Sequence, residues 1–310
     1  MAIAAGTPIS RRRRRFTWTA LGHGAVPYLL VLPVFAAIAA ILGYPLYRLV
    51  RLSFEHYGLF ELIQHKGQDV GLANYRSVLH DSVFWSTLVR TVVFTAANVG
   101  LTMVLGVLLA LLLVRVSPWC RLLLSAGLVL VWSMPTVVAA QVWIWMTNYQ
   151  NGVVNYIFGT PQHDWNATTF SQLGVVTTLI VWGALPFVVI TLYAGLAQVP
   201  RDLLEAAEVD GARPWRVFRD VTFPVLTPVL LILTSLSIIW DFGVFTQPYL
   251  LIGASHIHES NYLMSTYLFQ EGLFKNDYGR GATISLLMLV LVALLSVVYV
   301  RKMVRMGDEA

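Results

Sequence analysis

Long apolar runs separated by short polar segments dominate the hydrophobic pattern of this chain. Six runs could cross about 30 Å of hydrocarbon as helices of roughly 20 residues, and they cover 27–49, 87–114, 122–147, 173–197, 225–251 and 281–300. They are continuously apolar rather than alternating in ten-residue segments, which argues against a β-barrel. The pattern therefore predicts an all-α polytopic membrane protein with six transmembrane helices.

Composition supports a bilayer as the solvent of this chain. Hydrophobic residues make up 57% of the sequence and charged residues 12%, with a mean hydropathy of +0.69. A soluble core of 310 residues could not hide so much apolar surface.

The distribution of lysine and arginine predicts the orientation. With the N-terminus in the cytoplasm, about two thirds of these residues fall on the inner side, led by Arg11 to Arg15 before the first span. We therefore expect both termini to be cytoplasmic. The expected division is a basic N-terminal tail at 1–26, a transmembrane domain of six helices at 27–302, and a C-terminal tail at 303–310.

The basic run before the first span has two other interpretations. Arginines followed by an apolar segment also resemble a signal peptide, but the run is long enough to span and contains Pro27, Pro33 and Pro45, which favours a retained helix. Binding to nucleic acid is the weaker alternative, because such a run beside a span serves as a topology anchor that contacts anionic membrane lipids.

Several classes of enzyme find no support in the sequence. None of its three lysines lies in a Walker A sequence, so the chain is not expected to hydrolyse ATP. Cys120 is the single cysteine, which excludes an internal disulfide. His256, His258 and Glu259 are the nearest approach to a metal motif and are equally compatible with a solvated turn. We expect no catalytic residues and no metal site.

Residues 200–222, here called the coupling loop, interrupt the apolar pattern with acids and arginines at helical spacing. Pro200 is suited to a helix start, Gly211 to its end and Pro214 to the start of a second helix. Small residues and exposed aromatics rimmed by charge predict a surface that docks another protein. The candidate docking residues are Glu205, Ala206, Ala207, Glu208, Gly211, Arg213, Trp215 and Phe218.

The same residues carry a family resemblance. Glu205-Ala206-Ala207, Gly211 and the segment 221–224 resemble the EAA loop of binding-protein-dependent ABC importer permeases, in which this helix-turn-helix sits in a groove of the ATPase. Segments 70–94, 151–158 and 278–286 resemble carbohydrate permeases of that family, and 27–54 resembles the first of their two permease subunits. The arginine bias adds a likeness to the trehalose importer permeases of mycobacteria.

This resemblance implies the type I importer permease fold and a mechanism of alternating access. The implied partners are a second homologous permease subunit, two ATPase subunits that hold ATP and Mg²⁺, and an extracytoplasmic sugar-binding lipoprotein. No cofactor is expected on this chain itself. The implied cargo is a sugar, such as a disaccharide of the trehalose or maltose type.

Polar residues inside apolar runs are the candidates for the solute path, because they are costly unless they face a partner or a wet cavity. Asp241, with Trp240 and Phe242 beside it, could offer hydroxyl acceptors and aromatic platforms to a sugar, or could bond a neighbouring helix. Gln141, Asn98 and Gln247 could line the path or join helices.

Two functions of other classes remain open at this stage. A proton-coupled secondary carrier would normally show more spans or an internal repeat, neither of which is visible. A structural membrane scaffold predicts that deletion of the protein has no effect on transport.

Overall fold

A computed structural model describes residues 19–253 and 256–308, so the basic run at 11–15 lies outside the described residues. Fifteen α-helices are described: α1 Thr19–Ile38, α2 Tyr44–Ser53, α3 Leu59–Gln64, α4 Ala73–Leu79, α5 Ser82–Arg115, α6 Pro118–Ser133, α7 Thr136–Met146, α8 Val153–Phe158, α9 Thr169–Leu196, α10 Arg201–Val209, α11 Pro214–Val217, α12 Phe223–Phe242, α13 Thr246–Ile252, α14 Met264–Phe269 and α15 Tyr278–Asp308. A short antiparallel pair joins β1 Glu55–His56 to β2 Gln68–Asp69.

Five helical segments within the described residues are long and apolar enough to cross a membrane. They cover Leu30–Ser53, Ser82–Arg115, Thr169–Leu196, Pro214–Phe242 and Tyr278–Arg301. Short π-helical turns join α1 to α2 at Ala39–Gly43 and α11 to α12 at Phe218–Thr222 without ending those spans. The prediction of an all-helical membrane fold is confirmed.

The predicted span at 122–147 is not one straight helix. It consists of α6 and α7, which meet at an angle of 100° across Met134 and Pro135. Proline lacks the N–H of a continuous helix and pushes the preceding residue towards extended backbone, and Met134 has φ −73° and ψ 125°. The third predicted span is therefore a broken pair of helices, α6 and α7, which brings the number of possible spans within the described residues from five to six.

The predicted span at 225–251 also needs correction. Its helix begins earlier, at Pro214, and ends at Phe242. Gly243 caps α12, and a separate short helix, α13, follows from Thr246. The second helix of the coupling loop is thus the start of a membrane span rather than an independent element.

Residues 1–51 and 52–310 form separate compact units. In the first unit, most of the described apolar side chains of α1 and α2 are exposed, and Leu49 is half-buried. The second unit has its inner core around α5, α9 and α12, where Leu113, Val188, Leu192 and Leu233 are buried together.

Close contacts explain the Gly-Arg-Gly sequence at the start of α15. A Cβ on Gly279 would lie 2.2 Å from the carbonyl oxygen of Glu55, and one on Gly281 would lie 2.6 Å from the Cα of Gly272. Both obstacles are backbone, which cannot move aside as a side-chain end can. Glycine at these positions brings the N-terminal end of α15 against the β1 strand and the π-helical turn Gln270–Phe274.

A charged cluster centred on Arg280 joins the start of α15 to the same π-helical turn, to α4 and to the start of α5. Its guanidinium pairs with Asp81, lies 3.1 Å through Nε from Glu271 Oε2, and donates to Ser77 Oγ at 2.7 Å. Lys275 contacts the other oxygen of Glu271 at 2.6 Å. Tyr267 donates to Asp81 Oδ2 at 3.0 Å, and burial raises the pKa of Tyr267 to about 12.

Candidate functional site

The coupling loop folds into two short helices whose boundaries lie where its prolines and glycine predict. Pro200 caps α10 at its start, and Gly211 adopts φ +68°, which favours glycine over residues with a Cβ. The amide of Gly211 donates to Glu208 O at 3.0 Å, and that of Ala212 donates to Ala207 O at 3.0 Å. These bonds close the end of α10 before Pro214 starts α11.

Most of the candidate docking residues are exposed. Glu205, Ala206, Glu208, Gly211, Arg213 and Trp215 are exposed, whereas Ala207 and Phe218 are half-buried. Within the described residues, the carboxylates of Glu205 and Glu208 have no hydrogen-bond or ion-pair partner. The side chain of Ala207 therefore belongs to the inner side of the loop, and the open surface centres on Glu205 and Ala206.

Val209 extends this open surface and was missed by sequence reasoning. It is 88% exposed and lies one helical turn after Glu205. The sequence signal that could have identified Val209 is its spacing of four residues from Glu205, which places both residues on one face of the helix. A valine with so little of its surface covered points to a contact with another molecule.

The aromatic and basic side of the loop is held by local contacts. The rings of Trp215 and Phe218 lie 5.6 Å apart, and that of Phe218 lies 6.0 Å from Phe223. Arg216 and Arg219 both approach Asp220, at 3.7 and 3.4 Å. These arginines are therefore partly neutralised within the loop itself.

A second candidate site is a cavity of about 310 Å³ between the broken pair α6–α7, α9, α12 and α13. The structure brings three of the predicted path residues, Trp240, Asp241 and Gln247, to its wall. Asp241 is only 7% exposed, and within the described residues no group pairs with its carboxylate. A buried and unpaired acid facing a cavity offers strong acceptors to a polar solute.

The remaining path candidates lie elsewhere. Phe242 is 2% exposed within the hydrophobic core that includes Phe84 and Tyr267. Asn98 is fully buried on α5 and donates to Phe94 O of the same helix at 2.8 Å, so this bond does not join two helices. Gln141 is exposed and does not line the cavity.

Sequence reasoning missed an aromatic wall of this cavity. Phe187 lies between Trp132, at 5.9 Å with nearly parallel rings, and Trp240, at 5.7 Å. Trp182 lines the same cavity. Nothing in the sequence distinguishes these aromatic residues from others at a membrane interface, so their convergence appears only in the fold.

The His256 to Glu259 segment shows no sign of a metal site. His258 Nδ1 lies 2.7 Å from Ser260 Oγ, and Asn261 donates to His256 O at 2.7 Å. In the described part of the chain, no group of three or more His, Cys, Asp or Glu side chains is placed to hold a metal ion.

Comparison with known proteins shows which family this chain belongs to. Residues 102–304 match the family described as the binding-protein-dependent transport system inner membrane component. A diacetylchitobiose uptake system permease protein of Streptomyces coelicolor is 40% identical, over 91% of this chain and 88% of the relative. A trehalose/maltose transport system permease protein of Thermococcus litoralis is 33% identical, over 88% and 92%.

The fold has a solved counterpart as well. The crystal structure of a bacterial ABC transporter involved in the import of alginate matches with a TM-score of 0.77, at 19% identity, over 93% of this chain and 98% of the matched chain. The chain therefore has the type I ABC importer permease fold, as the sequence resemblance implied. The chain is a transport component rather than an enzyme, and it belongs to the family of inner membrane components of binding-protein-dependent transport systems.

Proposed function

We propose that this chain is a permease subunit of an ATP-driven sugar importer and carries half of the translocation path for a disaccharide. The observation that supports the solute path best is the 310 Å³ cavity, whose lining combines Asp241 and Gln247 with the aromatic rings of Trp132, Phe187 and Trp240. Aromatic faces suit the apolar faces of sugar rings, and the carboxylate accepts hydrogen bonds from hydroxyls.

The two relatives support a disaccharide as the cargo without selecting one. The more similar relative is named for diacetylchitobiose and the other for trehalose and maltose. The trehalose expectation is thus one member of a wider class. Competition by these sugars against uptake of a labelled disaccharide would rank them.

The proposed partners follow from the coupling loop and the family. ATP-binding subunits would dock on Glu205, Ala206 and Val209, and a second homologous permease would supply the other half of the path. A sugar-binding protein would deliver the solute from outside. Uptake that persists without ATP and collapses with the proton gradient would instead favour a proton-coupled carrier.

Uptake by the complete transporter tests the cavity. We expect Asp241→Asn to lower disaccharide uptake by about 10- to 100-fold, because a hydrogen bond to a charged group contributes about 1.5–3 kcal/mol. Trp240→Ala should lower uptake similarly through loss of the aromatic wall. Trp145→Ala removes a tryptophan that is 62% exposed and outside the cavity, and should change little. Equal uptake by all three variants would contradict the proposed path.

The single cysteine tests the proposed orientation. Cys120 is exposed near the start of α6, on the side of the membrane that we propose to be cytoplasmic. A membrane-impermeant maleimide should label it in inside-out vesicles and leave it unlabelled in intact cells, with Cys120→Ser as the blank. Labelling only in intact cells would reverse the proposed topology.

A further inference from the structure

An elongated groove between α5 and α12 lies beside the coupling loop. It has a volume of about 680 Å³, and its walls include Val104, Leu108 and Leu111 of α5 and Phe223 and Leu230 of α12. Leu108 and Val104 are more than half exposed. Both helices are membrane spans, so the occupant of this groove is either lipid or another transmembrane helix.

The residue sizes along the groove favour a lipid chain over a helix. Transmembrane helices pack closely where small residues let their backbones approach. This chain follows that rule at its own interfaces: Gly106 of α5 faces Val188 so closely that a Cβ would lie 2.5 Å from Val188 Cγ1. The groove walls instead carry mostly the larger side chains of valine, leucine, methionine and phenylalanine, with Pro214 and Thr234 beside them and no glycine or alanine. They form a channel for a flexible apolar chain.

One end of the groove is cationic. Arg115 lines it there and is exposed, and within the described residues its guanidinium has no hydrogen-bond or ion-pair partner. Arg121, close by in sequence, already has a hydrogen-bond partner within the protein, because its Nε donates to Leu113 O at 2.8 Å and so caps α5. Arg115 therefore remains available to bind an anionic group at this end of the groove.

The length of the groove fits one leaflet. From Val104 to Arg115, α5 rises about 16 Å at ~1.5 Å per residue, and half of a hydrocarbon core is about 15 Å. Trp215, an aromatic residue of the type that favours the interface, lies at the same end as Arg115. The groove thus has the length of an acyl chain, and its cationic end is complementary to an anionic headgroup.

We propose that this groove binds one anionic phospholipid of the leaflet that faces the coupling loop, with an acyl chain between α5 and α12 and its phosphate against Arg115. Charge complementarity selects an anionic headgroup over a zwitterionic one. Trp215 and Phe218 belong both to the groove and to the coupling loop, so the bound lipid supports the position of that loop.

Lipid retention by the purified complete transporter tests this site without any transport measurement. After exchange into phosphatidylcholine nanodiscs with or without phosphatidylglycerol, native mass spectrometry should detect phosphatidylglycerol retained in preference to phosphatidylcholine. Arg115→Gln should weaken that retention by about fivefold, the effect of ~1 kcal/mol for a basic residue near an anionic surface. Leu108→Trp should block retention by filling the groove.

A matched substitution controls for added bulk. Leu123→Trp places the same side chain on α6, at a leucine that is 70% exposed and outside the groove, and should retain the lipid. Equal retention of both phospholipids, or unchanged retention in Arg115→Gln, would overturn the proposal. So would cross-linking of Leu108→Cys, in a Cys120→Ser background, to another polypeptide. Because no sugar is involved, these outcomes are independent of the proposed function.

Discussion

Reversal of the charge at Glu205 is expected to abolish uptake while leaving the permease folded. Glu205 is exposed and unpaired within the described residues, so Glu205→Lys should cost little intramolecular stability. Loss of one charge from a buried, hydrogen-bonded pair at an interface costs about 2–5 kcal/mol, which corresponds to a loss of docking affinity of about 30- to 4,000-fold. Uptake and ATP hydrolysis by the reconstituted transporter measure this loss.

A second variant of the same loop tests its shape rather than its charge. Gly211 has φ +68° and donates to Glu208 O, whereas proline fixes φ near −65° and has no N–H. Gly211→Pro should therefore displace α10 and abolish uptake, while Gly211→Asn, which tolerates positive φ, should retain it.

Charge reversal nearby provides the control for Glu205. Asp210 is exposed at the end of α10, and its position on the helix lies well around from Glu205. Asp210→Lys should preserve most of the uptake if the contact is centred on Glu205, Ala206 and Val209. Normal uptake and ATP hydrolysis in both Glu205→Lys and Gly211→Pro would exclude the coupling loop as the docking element.

Hydropathy predicts which segments span the membrane, but it does not predict how they bend. The apolar run continues through Met134 and Pro135, so length and composition alone gave one span where the chain turns by 100°. The same limitation extended the fifth span past Gly243. Proline and glycine mark both breaks, yet Pro186 and Pro228 lie inside continuous helices. Tertiary packing decides between these outcomes.

The two candidate sites differ in how far sequence could define them. The coupling loop is local, and its caps and turn are fixed by Pro200, Gly211 and Pro214, so its outline follows from the sequence. The cavity is built from five helices. Asp241 was visible as an acid in an apolar run, but Phe242, its neighbour in sequence, turns into the core because adjacent helical residues are about 100° apart.

The resemblance at 151–158 gained a physical explanation only in the fold. Asn155 is buried, donates to His163 O at 3.0 Å and accepts from Trp165 Nε1 at 2.7 Å. It therefore ties α8 to the loop before α9. A motif can thus be recognised from its letters, although the contacts that make its residues necessary lie outside it.

Removal of Arg280 is expected to cause a large loss of stability in the second unit. Arg280→Met leaves Asp81 and Glu271 without their shared cation in a site where all three side chains are mostly buried. Breaking a buried ion pair by removing one partner costs about 3–5 kcal/mol, and the partial exposure of Arg280 places the expected loss near the lower value. The lysine at 275 still contacts Glu271, so Asp81 should be the group left uncompensated.

Thermal unfolding of the detergent-purified transporter measures this loss as a lower Tm. Arg280→Lys keeps the charge but cannot reach Asp81, Glu271 and Ser77 together as the guanidinium does, and should fall between wild type and Arg280→Met. Arg76→Met removes an exposed arginine from nearby α4 and should change the stability by less than about 0.5 kcal/mol.

Because Asp81 also caps α5 by accepting from Val83 N at 2.8 Å, Asp81→Asn should retain that cap and lose only the ion pair. A Tm for Arg280→Met as high as that of Arg76→Met would show that the cluster does not hold α5, α14 and α15 together.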